Sequence, residues 1–594
     1  MVFSSNIFLL YFMPAFFLVY FLMPRKTRNY VLLLASLIFY AWGAPEFIIQ
    51  LIVSLIANFF IVRWMCKTEK TSAKKWLCAL SIIISLGLLF FYKYGNFTMQ
   101  NLNALLGLTG HAPLSWKRIM LPIGISFFSF QSVTYTLDTY RGVNQPMKKL
   151  SDYMLYITMF PQLIAGPIVR YTDVADQIRQ RESTMADRLQ GFYRFVIGLC
   201  KKILIADVLG LRVDQMLGAA NIDAAGLSEV VSRIASLDTG SAWLVALAYT
   251  FQIYFDFAGY SDMAIGLGRI MGFTFPENFD NPYTSRSITE FWRRWHKTLG
   301  AFIMNYLYIP LGGNRKGTFG SFCIIIVIAA IAVFLSGSWW VGAALGLLAV
   351  ILVLVAIFKP EKRRNITTEI NRMDTMLLGG LWHGASWNFM IWGGLNGLGM
   401  VFYRFWKDWS VMGRALFLAL VTFGLHLLCV YAPQPVFNVL FVWCAVALAG
   451  NLVRVAYHLC GGKKPWQWLN DAWAVFQTFT FITFTRLFFR SGSNLDPAVA
   501  NETAWNTAKN MVNQMGSHWD LSKIPDIVMH YGNVFILIVI GMVIHWLPEN
   551  FKRRYRIWFA KMPLPLMVLF CVIVVFVIYQ FITADLQAFI YFQF

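Results

Sequence analysis

Charged residues are scarce in this chain of 594 residues, where Asp, Glu, Lys and Arg together make up only 13%. A soluble domain usually carries about 25% charged residues, so the composition excludes a soluble globular enzyme and a disordered chain. Hydrophobic residues reach 58%, and the mean hydropathy is +0.57. Because a helix needs about 20 apolar residues to cross a bilayer, the length allows a dozen or so spans. The sequence therefore predicts an all-α, polytopic membrane protein.

Acidic residues are the scarcer charged type, which leaves a formal net charge of +21. In a soluble protein this excess would suggest a nucleic-acid partner. In a membrane protein Lys and Arg collect in cytoplasmic loops and beside anionic lipid headgroups. We therefore expect membrane lipid, and no nucleic acid, as the partner of these charges.

The cysteines and histidines form none of the usual metal or disulfide motifs. The eight cysteines include no CxxC pair, and most lie in apolar runs, as small buried side chains do. The eight histidines include no HExxH arrangement. The sequence therefore predicts no disulfide framework, no catalytic metal and no permanently bound cofactor.

The chain also lacks a cleavable signal peptide and an internal repeat. Its first apolar run, residues 7–23, has no basic segment before it and no small-residue cleavage site after it, so it is predicted to stay as the first span. Pro and Gly interrupt the runs at 119–136 and 152–169, which predicts broken or re-entrant helices. A larger polar insertion is predicted at 491–531. The other predicted membrane segments are about 30–44, 47–66, 76–93, 190–212, 242–258, 322–336, 339–358, 375–404, 414–432, 435–456, 472–489, 532–548 and 563–583.

The distribution of basic residues predicts the orientation. The first six residues are uncharged, and basic residues follow the first span at 25–28. Another basic cluster, 552–556, lies between the last two predicted spans. Because Lys and Arg favour the cytoplasmic side, both termini are expected outside.

A polar stretch at 275–316 contains the first candidate site, Trp292, Arg293, Arg294, Trp295 and His296. Two interpretations are open. Trp and Arg suit an interfacial helix whose long side chains reach the headgroups. They equally suit a site for a phosphorylated ligand that contains a ring, since guanidinium groups bind phosphate and indoles stack.

The second candidate site is His383, which lies with Trp382 between Gly380 and Gly384 inside the apolar run at 375–404. An ionisable residue within a membrane segment is a functional hypothesis by default. Histidine is suited to proton transfer near neutral pH. The alternative is a neutral histidine that bonds a carbonyl of a neighbouring helix.

Other polar residues in apolar runs are assigned structural roles. Asp256 and Asp262 are predicted to pair with a buried Arg or to cap a helix, with catalysis as the alternative. The Lys201-Lys202 pair is interpreted as a cytoplasmic boundary, with a phosphate contact as the alternative. The single histidines at 426, 458 and 545 are interpreted as core or interface residues.

Several strings together resemble the membrane-bound O-acyltransferase family, and in particular its bacterial branch that O-acetylates extracellular polysaccharides such as alginate and peptidoglycan. Teichoic-acid D-alanyl transfer proteins are a more distant match. The resemblance covers nearly the whole chain. Its strings are MVFSSN at 1–6, FYAWG at 39–43, LPIGISF at 121–127, FPQLIAGP at 160–167, YFDFAGYSD at 254–262, RRWH at 293–296, LWHG at 381–384 and FIYFQF at 589–594.

This resemblance implies a catalytic His383 and a second functional histidine, His296. It implies one membrane domain over 1–594, a ring of tilted, partly broken helices around a thinned centre, where a cytosolic thioester donor meets an outer acceptor. Two features depart from the family. Asn305 replaces an aspartate, which puts an acid–base role there in doubt. About forty mostly apolar residues at 319–360 are predicted to add a helical hairpin.

We therefore expect a bacterial inner-membrane enzyme that moves acetyl from cytoplasmic acetyl-CoA to the outer face for polysaccharide O-acetylation, with an SGNH-type protein as outer partner. The alternatives are D-alanyl transfer from a carrier protein and a transporter without chemistry; two histidine motifs without repeat symmetry favour the enzyme. The residues expected at the donor site are Arg293, Arg294, Arg315, Lys316, Trp292, Trp295 and Asn305.

Near the C-terminus, Tyr591 has two interpretations. It is either part of an aromatic anchor at the membrane interface, or its hydroxyl accepts the acetyl group. In the second case His383 would remove the phenol proton, and the ester would pass the acetyl group to the outer partner.

Overall fold

The computed structural model describes residues 2–217, 233–336, 338–462, 466–492, 500–563 and most of 565–576. These residues form helices and no β-strand, which confirms the all-α prediction. Two compact units are present, one made of residues 1–281, 493–500 and 519–594, the other of residues 282–492 and 501–518.

The first unit contains both predicted broken segments. The run at 152–169 ends one helix at Thr158 and begins a four-residue helix at Phe160, and the run at 119–136 becomes helical only from Ile125, after Gly124 in the left-handed region. The main helices are Ile7–Phe12, Met13–Leu22, Arg28–Gly43, Ile48–Lys67, Thr71–Leu89, Phe90–Tyr94, Gly95–Leu108, Ile125–Tyr140, Leu150–Thr158, Phe160–Leu163, Tyr171–Arg179, Met185–Cys200, Lys201–Asp207, Val208–Leu217, Thr239–Ile270, Ile524–His530, Gly532–Trp546 and Glu549–Lys561.

Two long helices of the first unit, Met185–Cys200 and Thr239–Ile270, pack with their backbones almost in contact. A Cβ added to Gly198 would lie 2.5 Å from the carbonyl oxygen of Gly259, and one added to Gly259 would lie 2.7 Å from that of Gly198. Small residues permit such close helix packing in membrane proteins. Glycine is therefore required on both sides of this contact.

Several buried or half-buried ion pairs lie beside this contact. The Lys202 ammonium lies 2.5 Å from Asp207 and 3.0 Å from Asp256, and all three side chains are buried. Asp262 accepts hydrogen bonds from Arg194 and Lys201. The predicted pairing with an arginine is confirmed for Asp262, whereas the basic partner of Asp256 is Lys202. Carboxylates on two segments of this unit hold the Lys202 ammonium inside the protein, and the position of the Lys201-Lys202 pair at a cytoplasmic boundary stays a prediction.

The second unit carries both histidine motifs. Its helices are Ile288–Arg294, Lys297–Ile303, Met304–Tyr308, Phe319–Ser336, Trp339–Phe358, Arg363–His383, Trp387–Trp406, Val411–Tyr431, Pro435–Leu459, Gln467–Ser491 and most of Ala500–Met515. The segment predicted to form a hairpin contains two helices, Phe319–Ser336 and Trp339–Phe358, which pack against each other. Whether they are an addition to the family fold stays a prediction.

Among the described residues, five helical segments are long and apolar enough to cross a membrane. They are Pro45–Lys67, Thr71–Leu108, Trp339–Phe358, Val411–Tyr431 and Pro435–Leu459. A sixth candidate, 521–546, bends by 81° at its break. The predicted first span is a helix of 16 residues, Ile7–Leu22, shorter than the roughly 20 residues a straight crossing needs. The multi-pass character of the protein is confirmed, while the ring around a thinned centre stays a prediction.

Candidate active site

His296 occupies an unusual turn between the helices Ile288–Arg294 and Lys297–Ile303. Its backbone lies in the left-handed region, with φ 46° and ψ 54°. In the described part of the chain, Asn281 is the other non-glycine residue with positive φ. Such a conformation costs roughly 1–3 kcal/mol and is concentrated at functional sites. Burial lowers the pKa of His296 to about 3, so its imidazole is neutral at physiological pH.

His383 is the last residue of the helix Arg363–His383, and the chain is extended at Gly384. The next helix begins at Trp387, where the Ser386 hydroxyl accepts a hydrogen bond from the backbone N–H of Asn388. The apolar run at 375–404, predicted as one membrane segment, thus consists of parts of two helices separated at residues 384–386. A Cβ on Gly384 would lie 2.0 Å from the Phe389 ring, so a larger residue at the break would displace this buried ring.

The two helices on either side of the break pack closely and fix the position of His383. A Cβ on Gly380 would lie 2.3 Å from the Phe389 carbonyl oxygen, and one on Gly393 would lie 2.3 Å from that of Met376. Neither position can accept a larger residue without moving a backbone. His383 is thus held on a rigid pair of helices.

Aromatic rings surround His383 in what we call the histidine cluster, which consists of His296, Trp382, His383, Trp392 and Phe489. The centre of the His383 ring lies 4.8 Å from that of Trp382, 5.1 Å from that of Trp392 and 5.3 Å from that of Phe489. The Trp382 ring also lies 6.2 Å from the His296 ring. Both predicted histidines therefore belong to one buried cluster, and Trp382 contacts both.

Trp292 and Trp295, the two tryptophans predicted at the donor site, lie beside this cluster. The Trp292 indole N–H donates a hydrogen bond of 3.3 Å to Asn396, and its ring lies 5.4 Å from the Trp392 ring. Trp295 is only 3% exposed and stacks on Phe291. Burial of Trp295 and His296 disfavours the alternative in which this segment is an interfacial helix that reaches into the headgroups.

The predicted donor-site polar residues have different surroundings. Arg293, Arg315 and Lys316 are exposed. Arg294 is half-buried and donates hydrogen bonds to Glu290 (2.7 Å) and Thr284 (3.1 Å). The Asn305 amide donates to the Ala301 carbonyl one turn earlier in the same segment, a local bond.

Arg486 is a residue that the sequence analysis missed. It is 1% exposed, on the helix Gln467–Ser491. Its guanidinium carbon lies 4.1 Å from the centre of the Trp295 ring, 5.6 Å from those of Trp392 and Phe489, and 6.0 Å from that of Phe291. The available signal was a single cation within the apolar run at 472–489.

Two further expectations concern other parts of the chain. Tyr591 lies outside the described residues, so both interpretations of it stay predictions. Within the part of the chain that the structure describes, no three His, Cys, Asp or Glu side chains come together as metal ligands would.

Comparison with known sequences identifies the group to which this arrangement belongs. A sequence model of the membrane-bound O-acyltransferase family matches residues 88–364. This range includes His296 and ends before His383.

Three relatives extend the comparison. The probable alginate O-acetylase of Azotobacter vinelandii is 40% identical over 406 residues, which cover 68% of this chain and 69% of that protein. The peptidoglycan O-acetyltransferase of Helicobacter pylori is 31% identical over 442 residues, 68% of this chain and 70% of that protein. The teichoic acid D-alanyltransferase of Bacillus subtilis is 24% identical over 291 residues, 48% of this chain and 60% of that protein.

Proposed function

This chain belongs to the membrane-bound O-acyltransferase family and is a multi-pass O-acyltransferase, and we propose that it transfers acetyl groups for the O-acetylation of a polysaccharide. The donor is acetyl-CoA from the cytoplasm, and the acetyl group leaves on the outer face of a bacterial inner membrane. Identity of 40% with a probable alginate O-acetylase and 31% with a peptidoglycan O-acetyltransferase supports an extracellular or periplasmic polymer. Membership of an enzyme family argues against the transporter alternative.

The observation that carries the proposal is the histidine cluster. A neutral imidazole is a general base when it can reach the hydroxyl proton of an acceptor. His383 ends its helix at a break in the chain, with aromatic rings on several sides. These rings exclude water, which strengthens the electrostatic interactions in the site.

In the proposed reaction His383 removes the proton of an acceptor hydroxyl as its oxygen attacks the thioester carbonyl carbon. The carbon–sulfur bond then breaks, and the thiolate of coenzyme A takes the proton from His383. His296 stays neutral because it is buried. We assign it a supporting role through the shared contact with Trp382.

Coenzyme A carries phosphates and an adenine ring, so its binding needs cations and aromatic faces. Arg293, Arg315 and Lys316 are exposed and able to meet phosphates. Arg294 forms an ion pair with Glu290 one turn earlier, which stabilises the helix that also carries Arg293. Trp292 and Trp295 line the inner part of the same segment, and we retain Asn305 there only as a neutral hydrogen-bonding residue.

Transfer of D-alanine is the second candidate, because the chain is 24% identical to a teichoic acid D-alanyltransferase over about half its length. The lower identity and smaller coverage favour acetyl transfer. In either case we expect an outer protein, of the SGNH type in the acetylation pathway, to receive the group and deliver it to the polymer.

Purified protein in nanodiscs should release free coenzyme A from acetyl-CoA and transfer radiolabelled acetyl to an acceptor polysaccharide when the outer partner is added. A His383→Ala variant serves as the inactive control. A parallel reaction offers D-alanyl carrier protein in place of acetyl-CoA. Label transfer from the carrier protein alone, or no transfer from acetyl-CoA, would overturn the assignment of the donor.

A further inference from the structure

Arg486 is a cation buried on an apolar helix, among the rings of Phe291, Trp295, Trp392 and Phe489, a set we call the arginine cage. Among the described residues it has the largest fully buried side chain. Burial of a charge is costly unless the surroundings compensate for it. Aromatic faces do so in part, by about 2 kcal/mol or more for a desolvated cation.

The arginine cage and the histidine cluster share two residues, Trp392 and Phe489. Their ring centres lie 5.1 and 5.3 Å from the His383 ring, and each lies 5.6 Å from the guanidinium carbon of Arg486. The same two rings therefore contact the base and the cation. Arg486 and His383 are therefore neighbours of the same two rings.

We propose that Arg486 supplies the positive charge that stabilises the carbonyl oxygen while the acyl group is transferred at His383. Negative charge develops on this oxygen in every acyl transfer, and a preorganised positive group in a dry site is an effective way to stabilise it. A charge held in place by rings needs little reorganisation when the reaction occurs. The inference rests on the proposed function, since it assigns a role within the same site.

The step has a balanced form. The acceptor oxygen forms a bond to the carbonyl carbon and loses its proton to His383, while the π electrons of the carbonyl move onto its oxygen. Arg486 stabilises that oxyanion. The oxyanion then re-forms the carbonyl, the carbon–sulfur bond breaks, and the sulfur takes the proton from His383. The products are an ester and the free thiol.

The rival explanation is that Arg486 only fills space between the rings. Arg486→Met distinguishes the two, because methionine fills an aromatic cage well and removes the charge. If Arg486 acts by packing, the variant should stay active. If it acts by charge, kcat should fall by about 10²–10³-fold, as when one donor of an oxyanion hole is removed.

The kinetic experiment compares three variants with the wild type. Arg486→Met should lower kcat with little change in the KM for acetyl-CoA, because the charge acts mainly in the transition state. The kcat of Arg486→Lys should be at least tenfold higher than that of Arg486→Met. Arg414→Met is the matched control, since Arg414 also stacks on a tryptophan, Trp406, at 5.4 Å and lies outside the histidine cluster. Its activity should stay within about threefold of wild type.

A binding experiment separates charge from packing even where a variant is poorly active. A trifluoromethyl ketone analogue of acetyl-CoA forms a tetrahedral oxyanion, whereas S-ethyl-CoA has no carbonyl. Wild type should bind the ketone more tightly than S-ethyl-CoA. In Arg486→Met the ratio of the two affinities should fall at least tenfold, while the affinity for S-ethyl-CoA stays unchanged. A kcat of Arg486→Met within threefold of wild type, or an unchanged preference, would overturn the proposal. Failure of the wild type itself to use acetyl-CoA would instead reject the proposed donor.

Discussion

The two compact units place buried charge in opposite surroundings. In the first unit, the buried cation Lys202 meets two carboxylates, Asp207 and Asp256. In the second unit, the buried cation Arg486 meets aromatic rings that also contact His383. The contacts of Lys202 join segments of the first unit, whereas the contacts of Arg486 include the rings around His383, where we propose a role in the reaction. The comparison teaches that burial of a charge does not by itself mark an active site; its neighbours do.

The strongest test of this comparison is His383→Ala in the second unit. Loss of a general base typically lowers the rate by about 10²–10⁴-fold, and the ring contacts of the cluster should keep the protein folded. Acetyl transfer is measured at saturating acetyl-CoA, with monodispersity in detergent as the check on folding. Activity within about threefold of wild type would reject His383 as the base.

Two histidine variants refine that test. His426→Ala, on the exposed face of the helix Val411–Tyr431, should leave activity unchanged and serves as the control. His296→Asn keeps a residue that tolerates the left-handed backbone and removes the imidazole. We expect its loss of activity to be smaller than that of His383→Ala.

In the first unit, Lys202→Met should reduce stability and leave the specific activity of the folded fraction unchanged. The substitution leaves Asp207 and Asp256 buried without their cation, and removal of one partner from a buried ion pair costs about 3–5 kcal/mol. Thermal unfolding in detergent measures the effect.

The neighbouring Lys201→Met is the matched control for Lys202→Met. Lys201 is partly exposed, and its partner Asp262 keeps the Arg194 guanidinium at 2.9 Å. Its loss should therefore cost less. An equal loss of thermal stability in both variants would contradict the view that the buried group of Lys202, Asp207 and Asp256 supports the fold.

The exposed arginines of the second unit should affect donor binding and neither folding nor turnover. The double variant Arg293→Gln, Arg315→Gln is expected to raise the apparent KM for acetyl-CoA by about tenfold or more, because a hydrogen bond to a charged group contributes roughly 1.5–3 kcal/mol. Initial rates over a range of acetyl-CoA concentrations measure it. Lys407→Gln, on another exposed helix end, is the control. An unchanged KM would remove these residues from the donor site.

The smallest effect is expected from a single methyl group in the first unit. Gly259→Ala places a Cβ 2.7 Å from the Gly198 carbonyl oxygen, and such overpacking costs about 1–3 kcal/mol. Gly87→Ala is the matched control, since nothing lies within 4 Å of its added Cβ; alanine there should be neutral or slightly stabilising. The two thermal midpoints are compared directly, and an equal shift would argue against close backbone packing.

Hydrophobic runs and local motifs predicted the all-α class, the breaks at proline and glycine, and both histidine segments. These features depend on neighbours in sequence. The location of Lys202 could not be predicted, because Asp256 lies more than fifty residues away and becomes a partner only after two helices pack. Arg486 had a local signal, as the single cation of its apolar run, but its ring contacts could not be predicted because most of these rings lie on other segments.

The break at 384–386 shows a different limit. Its signals were local, since Gly384 ends one helix and Ser386 caps the next, but the apolar character of the whole run concealed them. Hydropathy reports whether a segment is buried and is insensitive to a turn of three residues. Capping signals needed separate inspection inside the apolar run.

The end of the helix at His383 has an electrostatic consequence. The aligned peptide dipoles of Arg363–His383 place partial negative charge on the carbonyl groups of the last turn. An imidazolium formed there is stabilised by about 0.3–1 kcal/mol, and by up to about 2 kcal/mol in partly buried geometries. A histidine in the middle of an unbroken helix would have no such field. The three-residue break therefore stabilises the His383 imidazolium formed during the reaction, which an uninterrupted helix could not do.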